Sequence, residues 1–325
     1  MATFDTTNTA DAADAADAAD AANTLRAWAL NEELKKSVME NPVLLPIANK
    51  IARRYIAGET IDDALAAAQE SMARGHTVSI EYTGESVRDP AVAEAETLVL
   101  LQLADAIAAS GIPSTVSFDL SHVGSVIDAA LGLTNARRIA AATADLGTAM
   151  MISAEGSART DLILDTYEKL SAEYPHVGIT LQARLHRTPK DLERVLSLPG
   201  AVRLVKGAFM EPESIAYPRG SEQLEQAYLE LVKTLLDSGH PTSIATHDAE
   251  LVEKIRESNP GTHTSPNCEF EMLIGLGTQT LDRLHDEGLN TREYVIFGNE
   301  WWLYVLNRIA EEPHRVFHAI TDAGS

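Results

Sequence analysis

From residue 77 onward, short apolar and β-branched runs recur about every 31 residues: TVSIEY from Thr77, TVSFDL from Thr115, AMMISA from Ala149 and VGITLQA from Val177. They continue with VRLVKGA from Val202, TSIATH from Thr242, CEFEML from Cys268 and EYVIFG from Glu293. Between them lie stretches with helical spacing, such as AEAETLVLLQLADAIAAS, LTNARRIAAATADLG and LEQAYLELVKTLLDSG. Strand–helix alternation predicts a parallel sheet, because parallel neighbours need a crossover between them. Eight such units in about 250 residues match the size of a (βα)8 TIM-type barrel. A doubly wound α/β sheet is the alternative, but no GxGxxG follows the first strand.

Strand parity adds a second expectation, because successive side chains face opposite ways. Ile80, Phe118, Ile152 and Leu181 form one set, suited to contact with helices. The opposite set is polar: Ser79, Glu81, Ser117, Asp119, Ser153 and Glu155 on the first three strands, then Thr180, Gln182, Arg203, Glu269 and Glu271. An ordinary barrel interior is filled by Val, Ile and Leu. This one is expected to hold either an ion-paired core or a polar ligand site at the strand C-termini. Glycines that closely follow strands, Gly207 and Gly298 among them, permit tight turns or close approach of a ligand to backbone.

Before His76 the pattern differs. Residues 24–75 have helical spacing interrupted by Pro42 and Pro46, which predicts an N-terminal helical arm. Residues 1–23 contain DAADAADAADAA, whose period of three sustains no apolar face on a helix, so this segment reads as a disordered or fraying acidic tail, with a marginal Ala-rich helix as the alternative. The barrel is then expected over 76–325.

Charge narrows the function classes. Lys plus Arg is 26 and Asp plus Glu is 48, a formal net charge of −22, of which the tail contributes five. Nucleic-acid binding needs clustered Lys and Arg, and an anionic membrane would repel such a chain. No membrane-length apolar run is present, and a single cysteine excludes a disulfide framework. A cytoplasmic protein is expected, with Cys268 as a small buried hydrophobe. His314 and His318 have a helical i, i+4 spacing, but no nearby Glu completes a zinc motif and Pro313 interrupts the helix, so no metal is expected. Trp301 and Trp302 read as packing of the last helix.

Two segments carry candidate chemistry. In RLVKGAFMEP, Arg203 to Pro212, two cations end a strand and Gly-Ala follows at once, so a flat ligand could lie on backbone while cations face its negative atoms. In YVIFGNEWWLYVLNRIAEEP, Tyr294 to Pro313, Asn299 can cap a helix that places Tyr304, Asn307, Arg308 and Glu311 on one face. Taken alone, Arg308 and Glu311 could be only a solvated pair.

Together these segments resemble the proline dehydrogenase family, whose members use FAD to oxidise proline. QARLHRT from Gln182 looks like the family's QAYLYRT, RLVKGAFMEP is close to RLVKGAYKEP, ATHD from Ala245 matches directly, and EFEML from Glu269 resembles EFQML. YVIFG and the final helix resemble YVPYG and its helix, and AEGSARTD from Ala154 looks like a worn MEDSSRTD. The likeness covers about residues 76–315. It implies a distorted (βα)8 barrel with FAD at the strand C-termini, a small amine or amino-acid substrate, and reoxidation by a quinone or another acceptor. Arg203 would sit beside the flavin N5, and Gln182, Lys206, Gly207, Thr246, His247 and Glu311 would contact the cofactor. Ala208, Leu273 and Tyr294 would line the substrate, and Arg308 would bind its carboxylate. Arg203, Tyr294 and Arg308 are thus the expected catalytic residues.

The resemblance departs from the family pattern in the substrate site. The first arginine of a two-arginine clamp is Asn307, a strand-two lysine is Asp119, and a strand-three aspartate is Ser153. Phe209 loses a hydroxyl, and Arg184 replaces a tyrosine at a neighbouring strand end, where it is the candidate substitute for the missing arginine. The expectation is oxidation of a cyclic amino acid or related amine. The alternatives are a non-proline amine or modified amino acid as substrate, or an inactive flavin-binding relic.

Overall fold

The computed structural model describes residues 20–84, 86–261, 265–312 and 315–324. All eight expected strands are present: β1 (Thr77–Tyr82), β2 (Ser114–Phe118), β3 (Met150–Ile152), β4 (Val177–Gln182), β5 (Val202–Val205), β6 (Thr242–Ala245), β7 (Cys268–Leu273) and β8 (Thr291–Phe297). Each pairs in parallel with its neighbours in chain order, and β8 closes on β1 through Thr77–Arg292 to Tyr82–Phe297. A closed parallel barrel leaves no sheet edge exposed.

Parity sorts the strands as expected. Val78, Ile80, Val116, Phe118, Ile152 and Ile179 are fully buried under the surrounding helices in one continuous apolar cluster. Burying each such side chain stabilises the fold by about 1.5–3 kcal/mol relative to leaving it exposed. The buried Cys268 belongs to this layer, where burial pushes its thiol up to about 12. Local signals set the helix ends. Asp89, Asp128, Ser221 and Asp248 cap the helices Pro90–Ser110, Ala129–Thr143, Glu222–Ser238 and Ala249–Ser258 by accepting from backbone N–H groups. These four are α5, α6, α9 and α10 in chain order.

The arm comprises a helical stretch over 20–29 (α1), α2 (Glu32–Met39), α3 (Leu44–Ala52) and α4 (Ile61–Ala73). Helix is already present at residues 20–23 and Ala22 is buried, so the end of the expected tail takes the helical alternative. Residues 1–19 lie outside the described residues. Pro42 separates α2 from α3, but Pro46 does not interrupt a helix. It occupies the first turn of α3, where its missing N–H has no partner to lose. The arm ends pack on α12 (Trp301–Glu311) in a second apolar cluster containing Leu25, Tyr55, Ile56, Trp301, Trp302 and Val305. Trp302 Nε1 donates to the Trp28 carbonyl at 3.1 Å. Asn299 is not the cap of α12; Glu300 precedes it without a side-chain capping bond, so docking of the two tryptophans locates this helix. The expected interruption at Pro313 and the position of His314 lie outside the described residues. No helix among the described residues is long and apolar enough to cross a membrane.

Candidate active site

The inward parity of the strands builds an ion pair at the centre of the barrel. Arg203 on β5 donates from Nε and Nη2 to the two carboxylate oxygens of Glu271 on β7, at 2.7 and 2.8 Å. Ser79 and Ser243 hydroxyls donate to the same carboxylate at 2.8 and 2.5 Å, and Arg203 Nη2 reaches Ser79 and Ser117 Oγ at 3.2 Å. Both ion-pair side chains are at most 5% exposed. Burial by itself raises the Glu271 carboxyl, but Arg203 overrides it and holds the group below its usual range. The Arg203 guanidinium also lies 4.4 Å over the centre of the Tyr294 ring. This network fixes the cation in one orientation beneath the mouth.

Above it, carboxylates gather. Glu81, at the end of β1, accepts from Ser153 Oγ at 2.6 Å and from the Tyr294 hydroxyl. Glu155, after β3, accepts from the Ser121 backbone N–H at 3.0 Å and from Arg159, while its own carbonyl takes Gln182 Nε2 at 2.8 Å. Asp119, one residue past β2, faces His122 Nε2 at 3.4 Å. Burial, then the nearby Glu81 and Glu155 carboxylates, push the Asp119 carboxyl well above its usual range against a weaker pull from Arg159.

The last helix closes the other side. Arg308 donates to Glu311 Oε1 at 2.5 Å, and its guanidinium lies 5.2 Å over the Tyr304 ring. Glu311 Oε2 stands 3.9 Å from His247 Nε2. Burial is the main cause that lowers His247 to about 4, so its imidazole is neutral near pH 7. Arg308, Glu311 and His247 therefore meet, and Tyr304 joins them. Lys206 pairs with Asp248, whose backbone N–H also bonds Thr246 Oγ1 at 3.2 Å. Gly207, with φ +109°, lies so close to its neighbours that an added Cβ would stand 2.9 Å from Arg184 Cγ and 3.1 Å from Gln182 Oε1. Only glycine adopts that turn without strain.

Some candidates take other places. Arg184 is engaged by backbone: Nη1 donates to the Phe209 carbonyl at 2.6 Å, and Nε and Nη2 to the Tyr217 carbonyl at 3.2 and 3.1 Å. It therefore shapes the segment after β5, whereas it was expected as a substitute for the missing clamp arginine. Ala208 is exposed, with its carbonyl taken by Arg219. Leu273 packs half-buried in the cluster that contains Tyr294, and Asn307 is half-buried beside Arg308 on α12. Glu81, Glu155 and Glu271 had no site role in the sequence reading, although parity had already placed all three on the inward set. A groove of about 680 Å3 lined by Lys50, Arg53, Arg54 and Arg74 lies where the arm meets β7 and β8, and no mouth residue lines it.

Comparison with known proteins agrees with this architecture. The family model described as proline dehydrogenase matches residues 64–312. The proline dehydrogenase of Deinococcus radiodurans is 33% identical over 287 residues, which covers 85% of this chain and 92% of the relative. Proline dehydrogenase 2 of Bacillus subtilis is 31% identical over 281 residues, covering 83% of this chain and 92% of the relative. Among solved structures, proline utilization A (PutA) from Bdellovibrio bacteriovorus, inactivated by N-propargylglycine, has a TM-score of 0.75 at 19% identity over 90% of this chain. This chain spans 36% of that longer protein, and a likeness at such low identity shows the fold. With a closed barrel, the arginine and tyrosine at its mouth and two relatives matched over nearly their whole length, the chain belongs to the proline dehydrogenase family, oxidoreductases that act on a CH–NH bond.

Proposed function

We propose that this protein uses FAD to oxidise the bond between carbon and nitrogen in a cyclic amino acid or a related amine, and passes the electrons to a quinone or another acceptor. The observation that carries this reading is the convergence of Arg203, Tyr294 and Arg308 on one mouth, with a cradle beside them that a flat cofactor fits. The cradle is the left-handed turn at Gly207, which has no room for a side chain, beside the buried Gln182 Oε1, which has no hydrogen-bond partner. A buried acceptor without a donor is costly, so a ligand N–H there would restore what burial removed. Gln182, Lys206, Gly207, Thr246, His247 and Glu311 would hold the group.

When bound, FAD would supply a two-electron acceptor for the hydride leaving the carbon next to nitrogen. The chain's own residues do the orienting. Arg203, locked by Glu271 and Tyr294, presents a fixed positive charge that needs no reorganisation as negative charge develops nearby. Tyr294 keeps its hydroxyl proton, because burial and then Glu81 raise its pKa well above the usual value, and so it donates to that carboxylate. Arg308 on α12 binds the substrate from the helix side, with Glu311 setting its orientation. The acidic surface and the single buried thiol accord with a cytoplasmic setting.

The test is the absorption spectrum of the purified protein and its response to amines without oxygen. Flavin bands that bleach with a cyclic amine or amino acid are the expected result. Loaded flavin that no amine bleaches overturns the reading and favours an inactive relic. For a substrate that carries a carboxylate or an amide carbonyl, Arg308→Met should raise KM about tenfold or more, since it removes the hydrogen-bonded cation from that group.

A further inference from the structure

The charges around the mouth do not balance in the way a zwitterionic substrate requires. Arg203, Arg308 and Arg159 each already hold a glutamate inside the protein. Arg184 holds two backbone carbonyls. Two carboxylates at the mouth, Glu81 and Asp119, make no direct salt bridge to a lysine or arginine among the described residues, and feel the longer-range charges of Arg203 and Arg159 respectively. Glu81 is held by the hydroxyls of Ser153 and Tyr294. Asp119 is faced by His122. These two come from adjacent strands and lie close enough to repel each other's charge, with Glu155 beside them. The buried Tyr304 hydroxyl, beside Arg308, feels the Glu81 charge from the helix side.

From this arrangement we infer that Asp119 and Glu81 select the substrate by charge, and that the preferred substrate is an amine of net positive charge, one whose carboxylate is absent or neutralised. The inference rests on the amine-oxidation reading above and specifies its substrate class. A protonated amine entering the mouth lets Asp119 ionise beside Glu81, whereas a free carboxylate there meets the Glu81 charge and drives Asp119 further toward its neutral form. The rise of the Asp119 carboxyl toward its neutral form is the response expected of an acid that lacks such a cation. Specificity then comes as much from rejecting anions as from attracting the amine.

Proline, prolinamide and pyrrolidine test this, because they share a ring and differ in whether a carboxylate is present, neutralised or removed. The holoenzyme is titrated with each in the absence of oxygen, reading flavin bleaching and, separately, the shift in unfolding temperature. The expected result is about tenfold tighter binding of prolinamide and pyrrolidine than of proline. Asp119→Asn should shrink that preference about fivefold and Asp119→Lys should reverse it, with flavin content unchanged in both. Bleaching of the flavin by proline at equal or lower concentration than by the other two overturns the inference and leaves the amine-oxidation reading standing. If the loaded flavin is bleached by none of them, that reading fails. The unfolding shifts then decide the inference alone, equal shifts for the three ligands overturning it.

Discussion

Arg203 stands out in the sequence as one of two cations that end a strand before Gly-Ala, but its partner does not. Glu271 lies 68 residues away, and inward parity alone would allow Arg203 to meet Glu81, Glu155 or Glu269 as readily. Register brings Ser243 and Glu269 level with Arg203 and puts Glu271 two residues further along β7; Glu269 is taken by Arg292, and Glu271 meets Arg203. Because both charges are buried, removing one leaves the other uncompensated. Glu271→Gln should therefore destabilise the fold by about 3–5 kcal/mol in a denaturant titration. The paired change Arg203→Met with Glu271→Met should recover most of that loss, because well-packed apolar groups replace the pair at little cost. It should also abolish activity, since the oriented cation disappears with the pair. A double variant no more stable than Glu271→Gln would show that the pair contributes through more than mutual neutralisation. Arg184 gives the complementary lesson. Its residue type suggested a substrate clamp, and its hydrogen bonds to the Phe209 and Tyr217 carbonyls make it a strut of the segment after β5.

At the scale of elements, the strand rhythm was legible because period-two alternation and turn residues are local. All eight strands start within two residues of where their apolar runs begin. The last helix was legible only in part. Its face bearing Tyr304, Arg308 and Glu311 follows from helical spacing, but its start does not, because tertiary docking replaces the missing cap. Trp301 and Trp302 anchor it against Leu25, Tyr55 and Ile56 of the arm. The arm thereby positions Arg308 through the tryptophans, while the guanidinium itself donates to Glu311. Trp302→Ala should cost about 3 kcal/mol or more by opening a cavity in this second cluster. It should also weaken substrate binding while the barrel ion pair stays intact. A variant with lowered unfolding temperature but unchanged KM would break the link between the arm and Arg308.

The whole molecule is strongly acidic, and its mouth carries part of that charge. With −22 overall, the surface field should slow the approach of anionic electron acceptors and speed cationic ones. At low ionic strength a cationic artificial acceptor should reoxidise the enzyme several-fold faster than an anionic one of similar potential. The gap should close at about 0.5 M salt, where the Debye length falls to a few ångströms. Equal rates at both salt levels would mean that electrons leave by a face the net charge does not reach.

What the sequence by itself determined was the parallel barrel, the polar inward set and the family, because periodicity, parity and ordered motifs are written in neighbouring residues. Which inward groups meet was decided only by the tertiary structure. Closing the barrel fixes register around eight strands, and that closure brings Arg203 to Glu271, ties Glu81 to Ser153 and Tyr294, and leaves Asp119 near Glu81 with no direct lysine or arginine salt bridge among the described residues. Those contacts join residues dozens to hundreds of positions apart, and the electrostatic character of the mouth depends on them.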